Sequence, residues 1–331
     1  MSISRTFSGT VGSTPLIPLV RLSHELGRTI LGKAEFLNPG GSVKDRAAKA
    51  IIDDAEERGA LRSGGTIVEG TAGNTGIALA LVANERGYRC TIVIPDDQSM
   101  EKIELLRTIG ADVRVVPAVA FTDPENYYHV ARRIAEQTPG AVWADQFENP
   151  ANRRAHEQTT GPEIWEQCEG RLDAFITSAG TGGTIAGVAL ALKKRDPRII
   201  VGLCDPMGSA LYAHVTTGSL DVEGDSNVEG IGIKRITKNF AGAPIDHAMR
   251  VVDRDAIEMA HWLLRREGLF LGGSAALNVV GAARLARTLP EGSRVVTILC
   301  DGGQRYQSRI FNETWLQEND VLPCARGLEF L

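Results

Sequence analysis

The feature that most constrains this chain is a repeated alternation. Short runs of β-branched and apolar residues take turns with longer amphipathic stretches along most of its length. Strand-like runs are expected at 32–37, 66–69, 90–94, 113–116, 142–144, 174–177, 199–204 and 294–299. Helical patterns are expected at 42–59, 75–87, 99–110, 126–137, 156–168, 184–194, 255–267 and 275–288, with Pro162 unsettling the first half of 156–168. Strands alternating with helices mean βαβ units and a mostly parallel sheet. The strands are nearly continuous in apolar residues, as expected when helices cover both faces. The 331 residues suit about two domains of ~150 residues or one large α/β unit. The rhythm restarts around 149–154, a weak boundary signal. Residues 218–244 are Gly-rich and irregular, and a connection that long in a compact domain is often functional.

Composition removes several classes. The hydrophobic share is 43% and the charged share 23%, which excludes wholesale disorder. A formal net charge of -5 gives no basic footprint for nucleic acid. The first fifteen residues lack an apolar core, so no secretory signal is expected there, and no run is long enough to span a bilayer. The best candidate, 268–283, is interrupted by Ser274 and Asn278 and suits a buried segment better. Five scattered cysteines without a C-x-x-C fit a reducing, cytoplasmic setting rather than a disulfide framework or a zinc site. The six histidines show no H-x-x-x-H spacing, and no metal is expected.

Glycine is the departure from average, at 36 of 331 residues, and it is clustered. In open α/β sheets ligands bind beyond the carboxyl ends of strands. Glycine-rich segments fall at or near such ends: Thr71-Ala72-Gly73-Asn74-Thr75-Gly76, Gly180-Thr181-Gly182-Gly183-Thr184, Gly272-Gly273-Ser274 and Asp301-Gly302-Gly303. A further one, Asn38-Pro39-Gly40-Gly41-Ser42-Val43-Lys44-Asp45-Arg46, follows a strand and opens a helix. The loop from Gly180 to Thr184 joins a strand to a helix and is built for an anion, because helix N-terminal N–H groups can approach a phosphate closely. It is too short for a Walker A motif, and Ile185 stands where G-x-G-x-x-G requires glycine. Asp205 ends the next strand about where a dinucleotide site places its ribose-binding acid. Nucleotide binding, a phosphate-bearing cofactor or substrate, and tight packing all remain open for this loop. The loop from Thr71 to Gly76 is either a capped turn or a seat for a small carboxylate. Lys44 is either a surface lysine or a Schiff-base lysine activated by desolvation and a neighbouring cation. Ser99-Met100-Glu101-Lys102 matches S-x-x-K without its companion motifs, so a helix cap is expected there. Asp53, Asp54, Glu56 and Glu57 read as a solvated helix face.

Taken together, these loops resemble the fold-type II pyridoxal phosphate (PLP) enzymes of the cysteine synthase and cystathionine β-synthase family, from Thr14 to about Phe311. The resemblance implies two three-layer α/β/α units with mostly parallel sheets. Residues 41–150 would form the smaller, partly mobile unit, 1–40 with 151–315 the larger PLP-phosphate-binding unit, and 316–331 a tail. It implies that Lys44 carries the cofactor as an aldimine and later acts as general base. Asn74 would bond the cofactor ring oxygen, Gly180, Thr181, Gly182, Gly183 and Thr184 would cradle the phosphate, and Ser274 would meet the pyridine nitrogen. Thr71, Gly73, Thr75 and Gln146 would hold an amino-acid carboxylate, beneath a flexible loop at Gly230, Ile231 and Gly232. A serine hydroxyl at the ring nitrogen implies a weaker electron sink than an aspartate, which suits β-elimination and β-replacement.

The implied reaction converts O-acetyl-L-serine and sulfide into L-cysteine through an α-aminoacrylate, with serine plus homocysteine, thiosulfate or an amine as alternative substrates. A nicotinamide dehydrogenase using Gly180 to Thr184 with Asp205 is the distant alternative. The resemblance also implies a homodimer and admits the C-terminal tail of a serine acetyltransferase as a docking partner. Three departures stand out: alanine at 72 where most relatives have serine, cysteine at 300 where they usually have proline, and a longer stretch at 117–133.

Overall fold

The computed structural model describes residues 6–71 and 73–331. In chain order the elements are β1 (Leu16–Pro18), α1 (Val20–Leu26), β2 (Thr29–Ala34), α2 (Lys44–Glu57), β3 (Thr66–Gly70), α3 (Asn74–Arg86), β4 (Arg89–Pro95), α4 (Met100–Thr108), β5 (Asp112–Val116), α5 (Tyr127–Gln137) and β6 (Ala141–Trp143). They continue with α6 (Ala151–Ala155), α7 (Gly161–Gln167), β7 (Ala174–Thr177), α8 (Gly183–Arg195), β8 (Ile200–Pro206), α9 (Leu211–Thr217), β9 (His247–Val251), α10 (Asp253–Arg266), α11 (Gly273–Thr288), β10 (Arg294–Leu299) and α12 (Glu313–Glu318).

Two sheets form. One has six strands in the order β1-β2-β10-β7-β8-β9, the other four in the order β5-β4-β3-β6. Every pairing is parallel except β1 with β2, where Leu16 faces Lys33. Helices cover both faces of each sheet, so the fold is α/β as the alternation implied. In the larger sheet, α1, α10 and α11 pack one face and α7 and α8 the other, each around its own apolar cluster. In the smaller sheet, α2, α3 and α4 cover one face and α5 the other. The register aligns strand ends: Leu299 of β10 lies beside Ala34 of β2, and Thr297 beside Ile176 of β7. The segments after β2, β10 and β7 therefore leave from one edge of the sheet, where chain reversals can converge on a ligand.

Several expectations need correction. The strand expected at 32–37 starts earlier and ends at Ala34, and Glu35–Leu37 form a 3-10 turn. That turn faces Glu35 inward, where its carboxylate meets Arg46. The helix expected at 156–168 begins at Ala151 and changes character. His156–Thr160 form a π-helical turn between α6 and α7, and Pro162 sits in the first turn of α7. Proline has no N–H to give the helix, so the wider turn ahead of it absorbs the missing bond. Ser99 does precede α4, but its hydroxyl donates to the Arg305 carbonyl at 3.1 Å instead of capping the helix. Asp53, Asp54 and Glu56 are tied into ion pairs with Lys49, Arg58, Arg86 and Arg154.

The apolar segment 268–283 falls largely within α11, thirteen of whose sixteen residues are buried. A helix apolar all round belongs inside, and this one runs between the sheet and α10. Among the described residues no helix is long and apolar enough to cross a membrane. The long segment after α9 carries no regular element until β9. The tail packs Leu328, Phe330 and Leu331 on the larger core, and Glu258 accepts the N–H groups of Cys324 and Ala325.

Candidate active site

A cavity of about 340 Å³ opens where the two sheets meet. Lys44, Thr71, Gly73, Asn74, Thr75, Gln146, Gly180, Thr181, Gly230, Ile231, Gly232 and Ser274 all line it. A smaller hollow continues from its floor, between Lys44, Cys300 and the turn that carries Ser178, Gly180, Gly182 and Thr184. Segments far apart in sequence thus converge, and of the expected site residues only Gly183 stays out of both hollows. Its N–H turns to Thr181 Oγ1 at 3.4 Å, and its Cα packs on the Asn152 side chain. Ala72 lies outside the described residues.

Lys44 occupies the first position of α2, half-buried at the foot of the cavity. Burial lowers its pKa, opposed by the Cys300 thiol and the Asp301 carboxylate. A lysine drawn toward its neutral form is a nucleophile or a base in waiting. The turn before it is held by Asp45, which accepts the Gly40 N–H at 2.5 Å and whose pKa burial pushes up to about 6.

The loop expected to seat a carboxylate follows β3. Gly73 sits at φ 132, and a Cβ there would lie 2.5 Å from the Lys102 stem, so only glycine fits. Thr75 donates to Gln146 Oε1 at 2.6 Å. Gln146 is anchored in turn by Glu69 and the Gly70 carbonyl, both at 3.4 Å. Glu69 is wholly buried and its pKa is raised well above the carboxylate range by that burial and by Asp145.

The turn after β7 leaves the N–H groups of Gly180, Thr181, Gly182 and Thr184 without protein acceptors among the described residues. Gly182 adopts φ 83 with Phe240 packed behind it. Thr237 donates to the Thr181 carbonyl at 2.7 Å, and Asn152 donates to Thr181 Oγ1 at 3.0 Å. His156, from the π-helical turn, reaches Thr184 Oγ1 at 3.2 Å with one ring nitrogen and Thr160 Oγ1 at 2.9 Å with the other. Burial holds its pKa well below the histidine range, so the ring is neutral. Ser178 Oγ is buried beside the smaller hollow without a partner among the described residues. Free N–H groups at a helix start, an orphaned hydroxyl and a lysine with lowered pKa fit a phosphate-bearing carbonyl cofactor.

Asp205 does not face this turn. It is fully buried and lines neither hollow; its Oδ2 accepts the Tyr212 N–H of α9 at 2.7 Å, and its Oδ1 has no partner among the described residues. The ribose-binding acid of the dehydrogenase alternative is therefore missing from the site.

Sequence reading missed several groups. Asp301, Arg305 and Tyr306 wrap Asn74, and Lys102 pairs with Glu229 at 2.5 Å over the Tyr306 ring. Asp301 did stand in a Gly-rich segment, but without a role, and Lys102 stood in the S-x-x-K match. At the mouth, Arg235 pairs with Glu148 and stacks on Phe121 and Phe147, the first of these from the longer stretch at 117–133. Cys300 lines the cavity wall, its Sγ accepts from Asn278 Nδ2 at 3.3 Å, and burial pushes its thiol up to about 11.

Comparison with known proteins agrees with this geometry. Residues 7–301 match the pyridoxal-phosphate dependent enzyme family, and the chain belongs to it. It is 53% identical over 325 residues to cysteine synthase 1 of Neurospora crassa, covering 97% of this chain and 86% of that one. It is 55% identical over 316 residues to cysteine synthase 1 of Emericella nidulans, covering 94% and 85%. Among solved structures, an O-acetylserine dependent cystathionine beta-synthase from Helicobacter pylori superposes with TM-score 0.84 at 35% identity, over 93% of this chain and 99% of the other. O-ureido-L-serine synthase superposes with TM-score 0.86, also at 35% identity, over 96% and 100%. The protein is thus an enzyme of the PLP-dependent class.

Proposed function

We propose that this chain is a cysteine synthase of the O-acetylserine sulfhydrylase type, replacing the acetoxy group of O-acetyl-L-serine with sulfide to give L-cysteine. The observation that carries this reading is the meeting of Lys44, the carboxylate loop and the free N–H groups after β7 in one cavity. The fungal relatives named cysteine synthase support the substrates.

In this reading Lys44 would hold PLP, the turn from Gly180 to Thr184 would take its phosphate, and Asn74 and Ser274 would contact its ring. When bound, the cofactor supplies a sink for the electron pair released at the substrate α-carbon. Thr71, Gly73, Thr75 and Gln146 seat the substrate carboxylate and so fix the α-carbon above Lys44. The Lys44 amine, free once the substrate is in place, removes the α-proton and later returns it. Its lowered pKa favours the neutral, basic form. Gly230 to Gly232 close over the seat and exclude water from the reacting carbon.

The family resemblance also implies a homodimer, a cytoplasmic setting, and 41–150 as the smaller mobile unit against 1–40 with 151–315, with 316–331 as a tail. A serine acetyltransferase C-terminal tail would fit the same carboxylate seat.

A second reading changes the nucleophile. The cavity reaches past the carboxylate loop to Phe121, Lys234 and Arg235, which leaves room for a thiol or amine larger than sulfide. Adding O-acetylserine to the purified, cofactor-loaded protein without sulfide should change its visible spectrum and release acetate. Supplying sulfide should then restore the first spectrum and yield cysteine. Restoration only by homocysteine, thiosulfate or an amine would move the assignment to the second reading. A protein that stays colourless after incubation with PLP would sink both.

A further inference from the structure

Asn74 opens α3 and lines the cavity, and it is gripped from behind by two groups on the turn after β10. Its Nδ2 donates to Asp301 Oδ2 at 2.7 Å, and its Oδ1 accepts from Arg305 Nη1 at 2.6 Å. A carboxylate only accepts and a guanidinium only donates. Reversing the amide would set carbonyl against carboxylate and NH2 against guanidinium, so the pair fixes which end points where. Tyr306 donates to the same Asp301 oxygen at 2.6 Å. Burial and the Asp301 charge raise the tyrosine pKa well above its usual value, so it stays a donor. The other carboxylate oxygen, Asp301 Oδ1, is buried with no partner among the described residues. Arg305 is anchored by the Gly40 carbonyl in the turn that precedes Lys44. One of the two Nδ2 hydrogens is spent on Asp301, and the second is left for the cavity.

We propose that Asp301 and Arg305 are positioning residues that set the Asn74 amide so that an N–H, and not the carbonyl, faces the ring oxygen of bound PLP. This rests on the reading of Asn74 as a cofactor contact. An N–H aimed at that oxygen favours its ionised form and lowers the pH at which it titrates. Asp301→Asn replaces an obligate acceptor with an amide that can also donate, and releases Asn74 to turn.

The test is a double-mutant cycle on the full chain, using Asp301→Asn, Asn74→Ala and the pair. Two quantities are read: PLP affinity of the cofactor-free protein by absorbance titration, and the pH midpoint of the ring-oxygen transition in the visible band. Asp301→Asn should weaken PLP binding roughly tenfold and raise the midpoint by about one unit. Both effects should vanish when Asn74 is already alanine. Additive effects, or an unmoved midpoint, would overturn the proposal and leave Asp301 as a brace between the two sheets. If Asn74→Ala alone alters neither quantity, the underlying reading of Asn74 fails instead. Should Asp301→Asn not fold, Tyr306→Phe serves in the same cycle. Its effect should be smaller, about threefold, and equally dependent on Asn74; an effect that persists in Asn74→Ala overturns the proposal.

Discussion

Lys44 and Arg46 lie two residues apart on the first turn of one helix, and their surroundings are opposite. Arg46 is almost wholly buried and saturated. Its guanidinium forks onto Glu35 at 2.8 Å and Glu163 at 2.7 Å, and Thr14 and Thr159 take further hydrogen bonds. Lys33 closes the network on Glu163 at 2.6 Å. Lys44 turns instead into the cavity, and its pKa falls by desolvation while that of Arg46 rises. The network neutralises its charges within the protein, whereas the site holds an amine that is easily made neutral. A fixed frame of paired charges thus stands directly behind a group kept available for chemistry, and α2 carries both.

The sharpest break of this contrast is Lys44→Ala. It should lower turnover by at least ~10³-fold, since the same amine would attach the cofactor and move the proton. The melting temperature of the cofactor-free protein should hardly change, because no ion pair is lost. Steady-state kinetics beside a thermal melt check both halves, and a large loss of stability would show that Lys44 belongs to the frame after all.

Arg46→Ala should do the reverse. It leaves Glu35 buried without its counter-charge, which costs about 3–5 kcal/mol, seen as a lower urea midpoint. Any PLP the variant binds should still be held through Lys44.

The smallest effect concerns pH. Arg46 and Lys33 hold the Glu163 carboxyl down at about 2, against an ordinary 4.5. A depressed carboxyl stabilises the fold fully above its unfolded pKa, and the contribution is lost as pH falls from about 4.5 toward 2. Glu163→Gln should therefore flatten the acid limb of a stability profile over that window, by about 2–3 kcal/mol. An unchanged limb would mean the network is not what acid titrates.

Much of this was legible in the chain. The spacing of apolar runs located β3, β4, β7 and β10, and the helices after β3, β4 and β7, within a residue or two, because each strand is a local run covered on both faces. The Gly-rich segments marked the turns, because positive φ at Gly73 and Gly182 is a local demand. The failures were not local. Glu35 fell inside an expected strand because its apolar neighbours continue the pattern, while a distant arginine decides that the chain must turn there. Leu211–Thr217 and His247–Val251 were missed, both bordering the irregular stretch where no period guides the eye. Asp205 had the right sequence offset for a ribose and the wrong neighbour, the N–H of Tyr212. Lys102 sat in a match to a foreign motif, and nothing in its surroundings announced a pairing with Glu229.

The sequence by itself determined the βαβ alternation, the places where backbone would bend around a ligand, and the lysine that opens a helix after a Gly-Gly turn. Those follow from steric and hydrophobic preferences that act over a few residues. Only the tertiary structure decided that Arg46 would be neutralised and Lys44 left available, and that Asn74 would be gripped by Asp301 and Arg305. The pairs of Arg46 with Glu163 and of Asn74 with Asp301 and Arg305 join residues more than a hundred positions apart, and an ionisable side chain takes its protonation and its role from whichever groups packing brings within hydrogen-bond reach.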